Sequence, residues 1–130
     1  MIKILLIEDD PDDVELLEES LKARQIEFEL EVLPDGSAAV SHIRTCGDCP
    51  HIIVLDFNLP KVHGREVLLE IKSASLFKNI PLLILTTSSL KEDQDYSYKN
   101  GADKYMVKPS TLEQINETVQ AIVDLASPHT

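Results

Sequence analysis

Apolar runs and amphipathic stretches alternate along the whole chain. Ile2–Ile7 is apolar except for Lys3 and predicts a mostly buried strand. Asp10-Pro11-Asp12-Asp13 then supplies a cap, a proline at the first helical position and acids in the first turn. Val14, Leu16, Leu17 and Leu21 follow at helical spacing. Phe28–Leu33 alternates apolar residues with glutamates, the pattern of a half-buried strand. Asp35-Gly36 leads into a short helix with Ala38, Ala39, Val40 and Ile43 available for its inner face.

The second half repeats the scheme. Ile52–Leu55 is apolar and rich in β-branching, as a strand covered on both faces should be. From Gly64, the residues Val67, Leu68 and Ile71 mark a helix. Leu82–Leu85 is another apolar strand, ending in Thr86-Thr87-Ser88-Ser89. Leu90–Asn100 is polar, but Asn100-Gly101 makes a good helix stop. Tyr105-Met106-Val107 reads as a fifth strand. Thr111–Ala126 reads as a closing helix capped by Thr111 or Ser110, with Leu112, Ile115, Val119, Ile122 and Val123 at helical spacing. Five strand–helix pairs predict a doubly wound five-stranded parallel α/β sheet with helices on both faces.

Composition narrows the function. The chain has 130 residues, with 23 acidic against 12 basic side chains and a formal charge of −11. That length suits one domain over residues 1–130, and a 43% apolar share excludes disorder. No apolar run approaches the roughly 20 residues of a membrane span, and no signal peptide is read, so a cytoplasmic protein without membrane attachment is expected. The acidic excess argues against nucleic acid as a partner. His42, Cys46, Cys49 and His51 fall within ten residues. They could complete a zinc site, Cys46 and Cys49 could form a reversible disulfide, or the segment could be a turn punctuated by Gly47-Asp48 and Pro50, which we favour.

Ligands of open parallel sheets bind beyond the carboxyl ends of the strands. Glu8 and Asp9 follow the first strand, Asp56 the third, Thr86 the fourth and Lys108 the fifth. Asp10, Asp12 and Asp13 are accounted for as cap and first-turn acids and are left outside this set. Glu8 and Asp9 beside Asp56 would repel unless a cation lay between them, and oxygen donors of this kind suit Mg²⁺ or Mn²⁺. Pro109 biases Lys108 toward extended backbone, so that it projects from its strand end.

These five positions, in this order, resemble the receiver domain of two-component response regulators. The resemblance implies strand order 2-1-3-4-5 and no enzyme activity of the ordinary kind. It implies that Asp56 accepts a phosphoryl group from a sensor histidine kinase. Mg²⁺ would be held by Asp9 and Asp56, by Glu8 through water and by the backbone carbonyl of Asn58. Lys108 would contact the phosphoryl group, the Lys108–Pro109 peptide would be cis, and Thr86 and Tyr105 would be switch positions, Tyr105 rotating inward after phosphorylation. Asn58 and Ser88 would flank the path of hydrolytic water.

The wording of Leu5–Asp13, Asn58–Leu68 and Leu85–Ser89 is similar to single-domain regulators partnered with bacterial phytochromes. His63 departs from that subgroup, which usually has Asp, and the Cys46–Cys49 pair is not required by it. Output is then expected through protein contact, as a homodimer or through a downstream phosphorelay protein. A receiver cut from a longer protein and an unphosphorylated scaffold are the alternatives. A Mg²⁺-dependent aspartyl phosphatase would need an acid where Asn58 stands.

Overall fold

Five strands and five helices alternate through the computed structural model, which describes residues 1–45, 48–60 and 62–127. They are β1 (Ile2–Ile7), α1 (Pro11–Ala23), β2 (Phe28–Leu33), α2 (Gly36–Thr45) and β3 (Ile52–Leu55). There follow α3 (Gly64–Ser73), β4 (Leu82–Thr86), α4 (Lys91–Lys99), β5 (Lys104–Val107) and α5 (Leu112–Ala126). All pairings are parallel, and the strand order is β2-β1-β3-β4-β5, as expected for a doubly wound sheet.

Period-two alternation divides the sheet into two faces. Leu5, Ile7, Ile53, Leu55, Leu82 and Ile84 pack with Ala39, Ile43, Val67, Leu68 and Ile71 of α2 and α3. Ile4, Leu6, Ile52, Val54, Leu83 and Leu85 pack with Leu17, Leu21, Val119, Ile122 and Ala126 of α1 and α5. Both faces of the central strands are therefore dry, which is why their sequence shows no polar alternation. β2 is an edge strand with half-buried Phe28, Leu30 and Leu33, matching its alternating sequence.

Helix starts follow local chemistry. The Asp10 carboxylate accepts from the Asp12 N–H at 2.9 Å, with Pro11 opening α1. The Thr111 hydroxyl accepts from the Gln114 N–H at 3.1 Å, which settles the cap of α5 on Thr111. His63 caps α3, its Nδ1 accepting from the Arg65 N–H at 3.0 Å. An imidazole nitrogen thus does there what an aspartate cap would do. Leu112, although at helical spacing with the core residues, is 74% exposed.

The helix α4 is the least apolar, as its sequence predicts. Ser97 is its buried residue, and its starting residue Leu90 makes no side-chain cap. It stops at Asn100, followed by Gly101 at φ +101°, a conformation that glycine adopts without strain.

Candidate functional site

The pairing of the strands continues one residue past their ends. The Glu8 N–H donates to the Leu33 carbonyl at 3.0 Å, the Asp56 N–H to the Ile7 carbonyl at 3.1 Å and the Lys108 N–H to the Thr86 carbonyl at 2.8 Å. The ladder itself thereby delivers Glu8, Asp56, Thr86 and Lys108 to one edge of the sheet.

There the Lys108 ammonium meets three carboxylates. Its Nζ lies 2.6 Å from Asp13 Oδ2, 2.9 Å from Glu8 Oε2 and 3.1 Å from Asp56 Oδ2. An ammonium has three N–H donors, and each has a carboxylate partner. Glu8 and Asp56 are 4% and 3% exposed, whereas Asp9 is open to solvent. The other oxygen of Asp56, Oδ1, accepts from the Asn58 N–H at 3.0 Å, and Glu8 Oε1 accepts from the Asp10 N–H at 3.1 Å. Both buried carboxylates are held at each oxygen.

Asp13 corrects the reading that left it outside the site. It remains a first-turn acid of α1, but it is also the carboxylate nearest to Lys108. The signal was present in the sequence. Asp13, Leu17 and Leu21 recur at four-residue spacing, and the two leucines are buried, so Asp13 lies on the inward stripe of α1. The Lys108–Pro109 peptide corrects a second expectation. It is trans, since the described residues contain no cis peptide bond, and Lys108 reaches its partners from the first position after β5.

The electrostatics follow from burial. Desolvation pushes the Glu8 carboxyl up to about 7, although Lys108 and the Asp10 N–H pull the other way. Burial alone would lower the Lys108 ammonium, but the Asp13 and Glu8 hydrogen bonds and the Asp56 charge outweigh it and hold it above its ordinary value. Three carboxylates therefore share one ammonium.

One oxygen each from Glu8, Asp9 and Asp56 lie within 4.8 Å of one another. Close carboxylates with two members buried leave negative charge that a single lysine does not neutralise. Their hard oxygen donors fit a small divalent cation. Among the described residues this is the metal-capable group.

Thr86, fully buried, flanks the pocket, and its Oγ1 accepts from Asn58 Nδ2 at 3.3 Å. Asn58 Nδ2 also reaches Thr87 Oγ1 at 3.0 Å. Tyr105 stands inward, its ring centroid 6.2 Å from that of Phe57 and its hydroxyl donating to the Ser88 carbonyl at 2.7 Å. The rotation expected for it is inward, and the ring already stands inward here.

The cysteine–histidine segment lies at the opposite edge. Cys46 falls outside the described residues. His42 Nε2 sits 3.1 Å from Glu31 Oε1, His51 Nδ1 accepts from the Lys3 N–H at 2.9 Å, and the Cys49 thiol donates to the Leu76 carbonyl at 3.3 Å. A cavity of about 320 Å³ lies beside Lys3, Glu31, His42 and Cys49, and none of the strand-end carboxylates borders it.

A 2-1-3-4-5 parallel sheet with an acidic, lysine-bridged pocket at its carboxyl edge defines a doubly wound α/β domain suited to a divalent cation and an anionic group. Residues 4–120 match the response regulator receiver domain model, and the chain belongs to that family. Response regulator Rcp1 of Synechocystis sp. is 41% identical over 124 residues, which make up 92% of this chain and 84% of that protein. The Mn²⁺-bound form of Rcp1 shares the fold at a TM-score of 0.84 and 40% identity, over 95% of this chain and 93% of that one. The phosphorylated cyanobacterial phytochrome response regulator RcpA does so at 0.84 and 36%, over 95% and 91%. The family named from the strand-end residues is therefore confirmed.

Proposed function

We propose that Asp56 is the phosphoryl acceptor of this response regulator and that a sensor histidine kinase, of the phytochrome type suggested by the likeness to RcpA, is the donor. The observation that carries this reading is the Asp56 carboxylate, buried, held at both oxygens and set between Lys108 and the Glu8–Asp9 pair. Mg²⁺ or Mn²⁺ would be held by Asp9 and Asp56, by Glu8 through water and by the Asn58 carbonyl. When bound, the cation would neutralise charge on the carboxylates and the phosphoryl oxygens.

Asp56 attacks the phosphorus of a phosphohistidine. A P–O bond forms as the P–N bond breaks, and the imidazole keeps the electron pair. Phosphoryl transfer asks a protein mainly for positioning and charge neutralisation. Lys108 supplies both: it orients Asp56 and then answers the added charge of nearly two units.

The Thr86 hydroxyl, now bonded to Asn58, is the group that a phosphoryl oxygen would draw in, and Tyr105 packs behind it as the second switch residue. Asn58 and Ser88 flank the path of hydrolytic water. The readout would be a population shift of α4, β5 and α5. Leu90, Tyr98, Val107 and Leu112 expose apolar surface around these elements, available to a second copy or a downstream phosphorelay protein. This signalling would take place in the cytoplasm.

The test is labelling by acetyl phosphate with Mg²⁺. Stoichiometric incorporation that is lost in Asp56→Asn and on chelation is expected. Undiminished labelling of Asp56→Asn would overturn the assignment.

A further inference from the structure

The two edges of the sheet are finished differently. On β5, four residues long, the Tyr105 N–H is taken up by the Tyr98 hydroxyl at 3.0 Å. The β2 edge is six residues long and carries neither proline nor lysine, the residues that commonly blunt an open strand. Its pairing with β1 uses alternate residues. The Glu27 carbonyl accepts from the Ile2 N–H at 3.1 Å, and the Leu33 carbonyl accepts from the Glu8 N–H at 3.0 Å. Period two then turns the N–H and C=O of Phe28, Leu30 and Val32 away from the sheet. Among the described residues no loop or side chain takes them.

The same alternation sorts the side chains. Phe28 and Leu30 stand half-buried on the side of α1 and α5, and Val32 is 36% exposed. Glu29 and Glu31 stand on the side of α2, where Glu31 meets His42. A recess opens beside the strand on each face. One of about 480 Å³ is floored by Ile26, Phe28 and Leu30 and rimmed by Glu18 and Glu27 against Lys22. The other, of about 320 Å³, sets Glu29, Glu31 and Asp48 against Lys3. Both recesses therefore carry an excess of carboxylates, and the first has an apolar floor.

A strand added to this edge would lie about 4.8 Å from β2 and send alternate side chains into the two recesses. A second copy of this chain is a poor occupant. The formal charge is −11, and each edge would bring its own Glu27, Glu29 and Glu31 against those of the other. The carboxylates that disfavour pairing with a like strand complement a cationic one.

We propose that the β2 edge is a docking site for an extended basic segment of a partner protein, alternating apolar with lysine or arginine side chains, which adds to the sheet as a sixth strand. The outward backbone groups of Phe28, Leu30 and Val32 hold its main chain. The floor under α1 takes its apolar side chains, and Glu29 and Glu31 face its cations. Neither the cation ligands nor the acceptor contributes to this edge, so the proposal stands apart from the acceptor reading of Asp56.

The probe is a synthetic peptide alternating valine with lysine, capped at both ends and added to the full chain. Strand addition should slow amide exchange at Phe28, Leu30 and Val32 about tenfold or more, while Glu29 and Glu31, whose amides face β1, stay unchanged. No binding, or binding without that alternation, overturns the proposal, since a merely acidic surface would attract the peptide without ordering it. N-methylation of the lysine amides blocks one edge of the peptide, and of the valine amides the other. One set should abolish binding and the other spare it; equal loss from both, or loss from neither, overturns strand addition without any change to the protein. Glu29→Lys, at an exposed position, should weaken binding about five- to tenfold at low salt, and an unchanged affinity counts against a basic partner. Protection of the same three amides on raising the protein concentration alone would assign the edge to a second copy and overturn the choice of partner.

Discussion

Lys108 Nζ lies closer to Asp13 Oδ2, at 2.6 Å, than to Asp56 Oδ2, at 3.1 Å. The lysine at the end of β5 is therefore anchored to the start of α1 as well as to the acceptor carboxylate. It is held to one side of Asp56, with the Asp9 side of the pocket open.

Asp13→Asn should release this anchor. Lys108 would then press on Glu8 and Asp56 as a competing cation, and one negative charge would leave the site. Affinity for Mg²⁺ is expected to fall by about 1 kcal/mol, roughly fivefold, in calorimetric titration. An unchanged affinity would show that Asp13 is only a first-turn acid.

The raised Glu8 carboxyl sets a pH dependence. Its folded value of about 7 exceeds the ordinary 4.5, so between these values the folded state binds more protons than the unfolded chain. Its contribution to stability therefore falls as pH rises through that window and is complete below it. Cation binding requires the ionised form, so affinity should weaken about tenfold from pH 8 to pH 6, with uptake of metal releasing a proton. Titrations in buffers of different ionisation enthalpy measure that proton, and Glu8→Gln should abolish its release.

Gly64 is held against the acceptor loop. Its N–H donates to the Phe57 carbonyl at 3.1 Å, and a Cβ there would stand 2.3 Å from Phe57 Cα. Gly64→Ala should push the Asp56–Phe57–Asn58 backbone outward and cost about 2 kcal/mol or more. Urea unfolding should show a lower midpoint, and labelling of Asp56 should fall with it.

Tyr105→Phe removes the hydroxyl that ties β5 to the Ser88 carbonyl while keeping the buried ring. A cost of about 1 kcal/mol is expected. Amide exchange should quicken in the loop from Thr87 to Leu90 while β4 remains protected. Equal quickening in both segments would mean that Tyr105 acts on the whole sheet.

The legibility of the site varied with sequence distance. Glu8, Asp9, Asp56, Thr86 and Lys108 could be read because each stands within two residues of the end of an apolar run, and parallel strands bring their ends to one edge. The inward place of Asp13 was written in its spacing to Leu17 and Leu21, but its role as a cap-turn acid gave a sufficient local reason for its presence. Arg65 and Asp93 stand 28 residues apart, and neither sequence neighbourhood points to the other.

The sequence by itself determined the alternation of elements, the helix start at Asp10, the stop at Gly101 and the set of strand-end residues. These depend on periodicity, caps and backbone freedom, which act within a few residues. The tertiary structure alone decided that Lys108 rests on Asp13, 95 residues away, and that Arg65 clamps Asp93. It also decided that Tyr105 stands inward and that Leu112 is exposed. Those outcomes depend on how neighbouring elements are packed across the sheet, and no local pattern carries that distance.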